Sequence, residues 1–422
     1  MDFKPHFYEY FGQFFEFADE YIESEINNKL YNTQKITIKI YPYFSQDKNR
    51  KNFKIFKIDY NGSEDVIKNT ISEINKHIEK QTEESDSYKV GDHNIWSVFY
   101  LLKELITAFS NDGYNFYRGQ GSDWITRPGI FRDLISITSK SSDDEIYFYK
   151  EFEKHYQQIA REYPDDIKYI ELQSNPSEIN DNHSIDERAD ELATLQHYGL
   201  PTSLLDITEN PFIALLFMLQ SDTFFKPQIE FYKFDIREDT TYSLLTYAHK
   251  RNSNKRIKAQ KGAFINYDKI NRFIEISTKN ELQLKSQYKK VNRILVKIVL
   301  DFDEYINYLN ELKEENIKIE DTEESQKENK ERIQEVIQKE IDKYNASSEK
   351  NDIEKQKKRN KIINQQYMIL HNELLKKLNE FHYFTRDLSP DFHDYLIHLN
   401  KGYKRKNKNK KLDSDKFSDN II

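Results

Sequence analysis

A short apolar strand followed at once by a capped apolar helix is the tightest local constraint in this sequence. Leu204-Leu205-Asp206-Ile207-Thr208 reads as a buried strand, and Glu209-Asn210-Pro211 then supplies a natural N-cap and the favoured first residue of a helix. The run Phe212 to Leu219 continues as an apolar helix. It is far shorter than the roughly 20 residues a membrane helix needs, so it belongs to a protein core and no membrane partner is expected.

Similar reasoning orders the rest of the chain. An aromatic amphipathic start precedes two strands, Ile36 to Ile40 and Phe53 to Ile58, and a helix from Asp65 to Ile78. Residues 1–85 are therefore expected to form a small α/β N-terminal appendage, with Lys80 to Ser87 as linker because that stretch lacks apolar periodicity. Asn94 is placed as the cap of a helix carrying Val98, Leu101, Leu102, Leu105 and Ile106, which Asn111-Asp112-Gly113 ends. A strand Phe116-Tyr117-Arg118-Gly119-Gln120 follows, then a helix from Asp144 to Glu162 and a polar, loop-like region through Ser184. Another helix enters Ala193 to Gly199. Strands are expected at Ile229–Phe234, Ala263–Ile265 and Arg293–Leu300, with a helix between the last two. The fold class is mixed α/β, of the α+β kind, with a central mixed sheet and packed helices.

From Glu311 to about Lys361 the chain is almost entirely Glu, Lys, Asn and Gln, with Ile333, Val336, Ile337 and Ile341 on one helical face. This reads as a charged helical hairpin inserted at about 305–365 into a main domain of 90–400. Its thin stripe favours an arm packed on its own domain over a docking surface for a protein partner. The aromatic N-terminal segment with Phe11, Phe14, Phe15 and Phe17 is the better candidate interface. Residues 401–422 begin with a basic, low-complexity tail expected to be disordered, through which nucleic acid could be attracted.

Composition removes several classes. There are 29 Tyr and 28 Phe against 3 Met, so the interior rests on rigid aromatic and β-branched side chains. Cysteine is absent, which excludes disulfides, thiolate metal sites and a cysteine nucleophile. A formal net charge of -8 makes the whole molecule no electrostatic trap for nucleic acid. The opening Met1-Asp2-Phe3-Lys4-Pro5-His6 lacks the order of a secretory signal, and a cytoplasmic location is expected. No zincin helix, phosphate-binding Gly-Lys loop or dinucleotide Gly fingerprint is present, and no metal site is expected.

Three segments carry chemistry. Arg118-Gly119-Gln120-Gly121 places a permanent cation beside backbone that a ligand could approach closely, suiting an anion, with Arg127 and Arg132 in the following loop. The alternative is that Arg118 pairs with an internal carboxylate and organises the fold. Gln196-His197-Tyr198-Gly199-Leu200-Pro201-Thr202-Ser203-Leu204-Leu205-Asp206 reads as a polar strand-to-helix corner of the kind in which α/β proteins place active groups. His197 could act as acid, base or ligand orienter, or this could be a structural corner of satisfied hydrogen bonds. In Arg256-Ile257-Lys258-Ala259-Gln260-Lys261-Gly262-Ala263-Phe264, Gln260 could present its amide to a ligand.

Together these segments resemble the FRG-domain family, named for its Phe/Tyr-Arg-Gly motif: Phe116 to Gln120, then Gln196 to Asp206 with Asn210-Pro211, then Arg256, Gln260, Gly262 and Phe264. A fourth segment, Phe384-Thr385-Arg386-Asp387-Leu388-Ser389-Pro390-Asp391, resembles the family's closing motif. Ser203 stands where the family commonly has Arg, and Arg386 to Ser389 is a loose version of the last motif. The resemblance implies an effector of a bacterial or phage-linked defence or toxin system. The Tyr-Arg-Gly strand is also similar to the first motif of Arg-Ser-Glu ADP-ribosyltransferases, which implies NAD as the bound dinucleotide. Tyr117, Arg118, Gly119, Gln120 and Arg127 would then bind it, and Arg118, His197, Thr202, Ser203, Asp206 and Gln260 would form the catalytic set. Thr202 or Ser203 would supply the hydroxyl of that site. Its carboxylate has no unambiguous match, Glu281 being one possibility.

Two other classes remain open. A metal-dependent nuclease would use Glu230-Phe231-Tyr232-Lys233, which has one residue too many for an acid-x-Lys strand. A non-catalytic module could bind a nucleotide or another phosphate-bearing molecule through Arg118, Arg127, Arg132, Lys258 and Lys261.

Overall fold

The computed structural model describes residues 22–42, 53–86, 98–132, 148–172, 182–221, 223–235, 243–247, 255–276, 282–285, 288–318, 332, 334–342 and 353–388. The strands are β1 (Tyr31–Pro42), β2 (Phe53–Asn61), β3 (Phe116–Gln120), β4 (Leu204–Thr208), β5 (Gln228–Lys233), β6 (Leu245–Thr246), β7 (Gly262–Asn266), β8 (Ile274–Ile276), β9 (Leu282–Leu284) and β10 (Val291–Leu300). Eight of them form one mixed sheet in the order β2-β1-β10-β5-β3-β4-β7-β6. β1 and β10 run parallel and the other neighbours antiparallel. The central mixed sheet with packed helices is thus the expected architecture. The strands of the N-terminal unit lie at one edge of this sheet, through β1 and β10, and form no sheet of their own.

The principal helices are α1 (Asp65–Asp86), α2 (Val98–Asn111), α3 (Phe148–Glu162), α4 (Asn182–His197), α5 (Pro211–Gln220), α6 (Lys255–Ala259), α7 (Phe302–Lys318) and α8 (Ile353–Glu380). Alternation along the strands divides the interior into two cores. Tyr117, Phe231, Ile294 and Val296 pack with α2, α5 and α8 in one. Phe116, Tyr232, Ile207 and Ala263 pack with α3 and α4 in the other.

The Asn210 cap forms as its sequence requires: its side chain accepts hydrogen bonds from Phe212 N at 3.0 Å and Ile213 N at 3.4 Å. Gly113, past the end of α2, has φ +88°, a conformation glycine adopts without a Cβ penalty. Three expectations are corrected. The linker stretch continues α1 as far as Asp86, because a charged helix can extend into solvent without apolar periodicity. The loop-like region before Ser184 gives way to α4 at Asn182. Between β7 and β10, the expected helix is a short turn of Ile270–Phe273 followed by the two-stranded β8–β9 pair.

Within the charged insertion, residues 334–342 are helical apart from the body helices, and Ile337 and Ile341 are buried in the same core as α5 and α8. Val336 is exposed. The insertion therefore packs its stripe on its own domain. The basic tail, the N-terminal phenylalanines, Asn94, Asp144, Glu281 and Ile333 lie outside the described residues. Among the described residues no helix is long and apolar enough to cross a membrane.

Candidate functional site

The second and third chemistry-bearing segments meet in one crevice. α4 ends at His197, and Gly199, with φ +97° and nothing near its missing Cβ, supplies the left-handed residue that turns the chain. Leu200 N bonds Leu195 O at 3.1 Å across that turn. The following corner is held by a chain of side chains. Buried Thr202 donates its hydroxyl to the Gln196 carbonyl oxygen and accepts from Leu204 N at 3.2 Å. Gln196 Nε2 in turn donates to Asp206 Oδ2 at 2.8 Å. The Asp206 carboxylate is exposed and is thereby fixed in orientation. Gln196, His197, Asp206, Arg256, Gln260 and Phe264 line the crevice, which has a volume of about 50 Å³. That space admits a single small group, and a larger ligand would lie across its mouth. Tyr198, 81% exposed, sets its ring edge-on to His197, 4.9 Å between centroids.

Gln260 has a structural duty as well. Its Nε2 donates to Leu388 O at 2.8 Å, joining the third segment to the fourth, while its own carbonyl accepts from Thr208 Oγ1 at 2.7 Å. Ser203 is 1% exposed, and its hydroxyl has no hydrogen-bond partner among the described residues.

The first segment is placed elsewhere. Arg118 is not among the residues lining the crevice. It stands opposite Glu230 across the β3–β5 pair, its Nε 3.9 Å from Glu230 Oε2, and its side chain is 13% exposed. The internal carboxylate considered from the sequence is therefore Glu230, which is wholly buried and also accepts from the Thr126 and Tyr232 hydroxyls. A carboxylate so enclosed does not present itself as a metal ligand on an open strand, which removes the geometric basis of the nuclease alternative.

Gly119 answers to packing rather than to a ligand: a Cβ there would fall 1.9 Å from Ala214 O, so β3 and α5 approach backbone to backbone. Tyr117 belongs to the core. Its hydroxyl is shared with Ser110 Oγ at 2.7 Å and donates to Tyr114 O at 3.1 Å, and burial raises its pKa. Gln120 is buried and donates to Trp124 O at 2.6 Å. Arg127 is half-buried in the loop after β3, which docks on the corner through Ile130 N to Thr202 O at 3.0 Å. Lys258, Lys261 and Arg132 are exposed and line no part of the crevice.

Sequence reasoning gave Arg256 only as a motif residue and Gln196 only as part of a corner, yet both line the crevice. It missed Arg293 altogether. A cation inside the apolar run Val291-Asn292-Arg293-Ile294-Leu295-Val296 was the available signal, since its register places it in the core, 2% exposed.

A model of the FRG domain matches residues 114–226. That span holds the strand of Arg118, the corner from Gln196 to Asp206 and the helix capped by Asn210, while Arg256 and Gln260 lie beyond it. No curated protein and no solved structure matches the chain.

Proposed function

Starting from a chain that carries an FRG domain, we propose that it is an effector of a bacterial or phage-linked defence or toxin system that binds NAD and transfers its ADP-ribose. The observation supporting this reading is the convergence of an oriented carboxylate, an imidazole, a guanidinium and an amide on one crevice. Arg256 suits the diphosphate, and Asp206 suits the positive charge that develops on the ribose ring as the glycosidic bond stretches. The C1′–N bond breaks, nicotinamide leaves with the bonding electrons, and the acceptor's nucleophilic atom bonds to C1′. His197 takes the acceptor's proton. Tyr198 offers an aromatic face beside His197 on which a base could stack.

The defence role rests on the family resemblance. A non-catalytic nucleotide-binding module is the second reading, favoured by the small volume of the crevice and by the turning of Arg118 toward Glu230.

Incubating the purified protein with labelled NAD, with and without candidate acceptors, tests both. Release of nicotinamide or labelling of a macromolecule is expected, and Asp206→Asn is expected to lower the rate by about 100-fold or more. Binding without release would leave the module reading. The absence of both binding and release would sink the proposal.

A further inference from the structure

A second polar centre lies away from the crevice, in the core between the sheet and helices α3 and α4. Two guanidiniums reach it. Arg118 comes from β3, and Arg293 from β10, where it stands opposite Tyr232. Arg293 is held by Thr33 Oγ1, which accepts from its Nε at 3.0 Å, and by the Tyr31 ring, 4.6 Å from the guanidinium carbon. Glu230 is the carboxylate that faces both.

The charges there do not balance. Both arginines remain cations, because guanidinium does not deprotonate in proteins. The pKa of Arg293 is raised: burial opposes its charge, and attraction to the Glu230 carboxylate is the largest influence in the other direction. The three phenols supply no second negative charge. Burial raises the pKa of Tyr31 and Tyr232 far above the ordinary value, and pushes Tyr267 up to about 12. Asp268, which follows Tyr267 in the chain, is bonded to Arg188 at 2.9 Å. Among the described residues two cations therefore share one carboxylate, whose oxygens already accept from the Thr126 and Tyr232 hydroxyls.

Donors are left over on both cations. Arg293 Nη1 and Arg118 Nε are buried and have no hydrogen-bond partner among the described residues, although native proteins satisfy nearly all such groups. The side chain of Arg118, 13% exposed, gives the centre its connection to the surface.

We propose that Arg118 and Arg293 form a buried anion site that takes a phosphate group, free or carried by a small monoester. The planar forks of two arginines match the oxygens of a phosphate, and the bound anion cancels the excess charge. Glu230 limits the affinity by repelling the anion, and so keeps occupancy dependent on concentration. The site stands apart from the crevice and does not rest on NAD being its ligand.

The test is thermal unfolding of the full-length protein in inorganic phosphate, and separately in glycerol phosphate, against potassium chloride at matched ionic strength. A saturable rise in Tm with phosphate is expected. A rise with both probes assigns a monoester, and a rise with phosphate alone assigns the free ion. Glu230→Gln is expected to tighten phosphate by about 10-fold. Arg293→Met is expected to abolish the response. Arg256→Gln is expected to keep it, which separates this site from the crevice. If Arg293→Met fails to fold, the wild type and Glu230→Gln decide the matter. A phosphate response equal to that of chloride in both, or its loss in Arg256→Gln, would overturn the proposal.

Discussion

Asn210 shows how much one residue can settle locally. Its side chain satisfies two amides that the start of α5 would otherwise leave open, and Thr208 Oγ1 accepts from its own N–H at 3.0 Å. Asn210→Ala is expected to cost about 1 kcal/mol, read as a lower urea midpoint with an unchanged slope. This cap, the Gly113 turn and the polar character of the corner from Gln196 to Asp206 were legible because they depend on residues close together in sequence. The partner of Arg118 was not. A cross-strand neighbour is fixed by register, and nothing local to Arg118 announces that Glu230 will stand opposite it. The same holds for Asp206: its exposure was foreseeable from a polar corner, but its fixed orientation by Gln196 depends on how α4 meets β4.

Between elements, α5 meets β3 backbone to backbone, which gives the Arg-Gly motif a physical reason. Gly119 has no room for a side chain against the Ala214 carbonyl. Gly119→Ala is expected to destabilise the fold by about 3 kcal/mol, measured by denaturant unfolding, because backbone at both ends of the clash must move. Strong periodicity made most elements readable, including α2, β5 and β10. The misread segments share a different cause. The end of α1 is a charged helix whose apolar stripe has run out, and the β8–β9 pair is a short excursion whose strand character comes from its partner rather than from its own pattern. Within the charged insertion Ile337 and Ile341, though sparse, repeat at helical spacing and find the core.

At the scale of the molecule, one sheet joins every segment of interest and distributes them between two places. The corner after α4 and the α6–β7 approach converge on the crevice, while β3, β5 and β10 carry a buried centre of two arginines and one glutamate. A composite site read from motif order alone placed Arg118 together with the Gln196 to Asp206 corner and Gln260, since order along the chain carries no information about which side of a strand a residue occupies. The N-terminal strands extend the same sheet through the parallel β1–β10 pair. Amide hydrogen exchange of the full-length protein with and without NAD tests most directly whether the crevice is the ligand site. Slowed exchange confined to residues 193–208 and 256–264 is the expected result. Protection that avoids both segments, or none at saturating NAD, would contradict it.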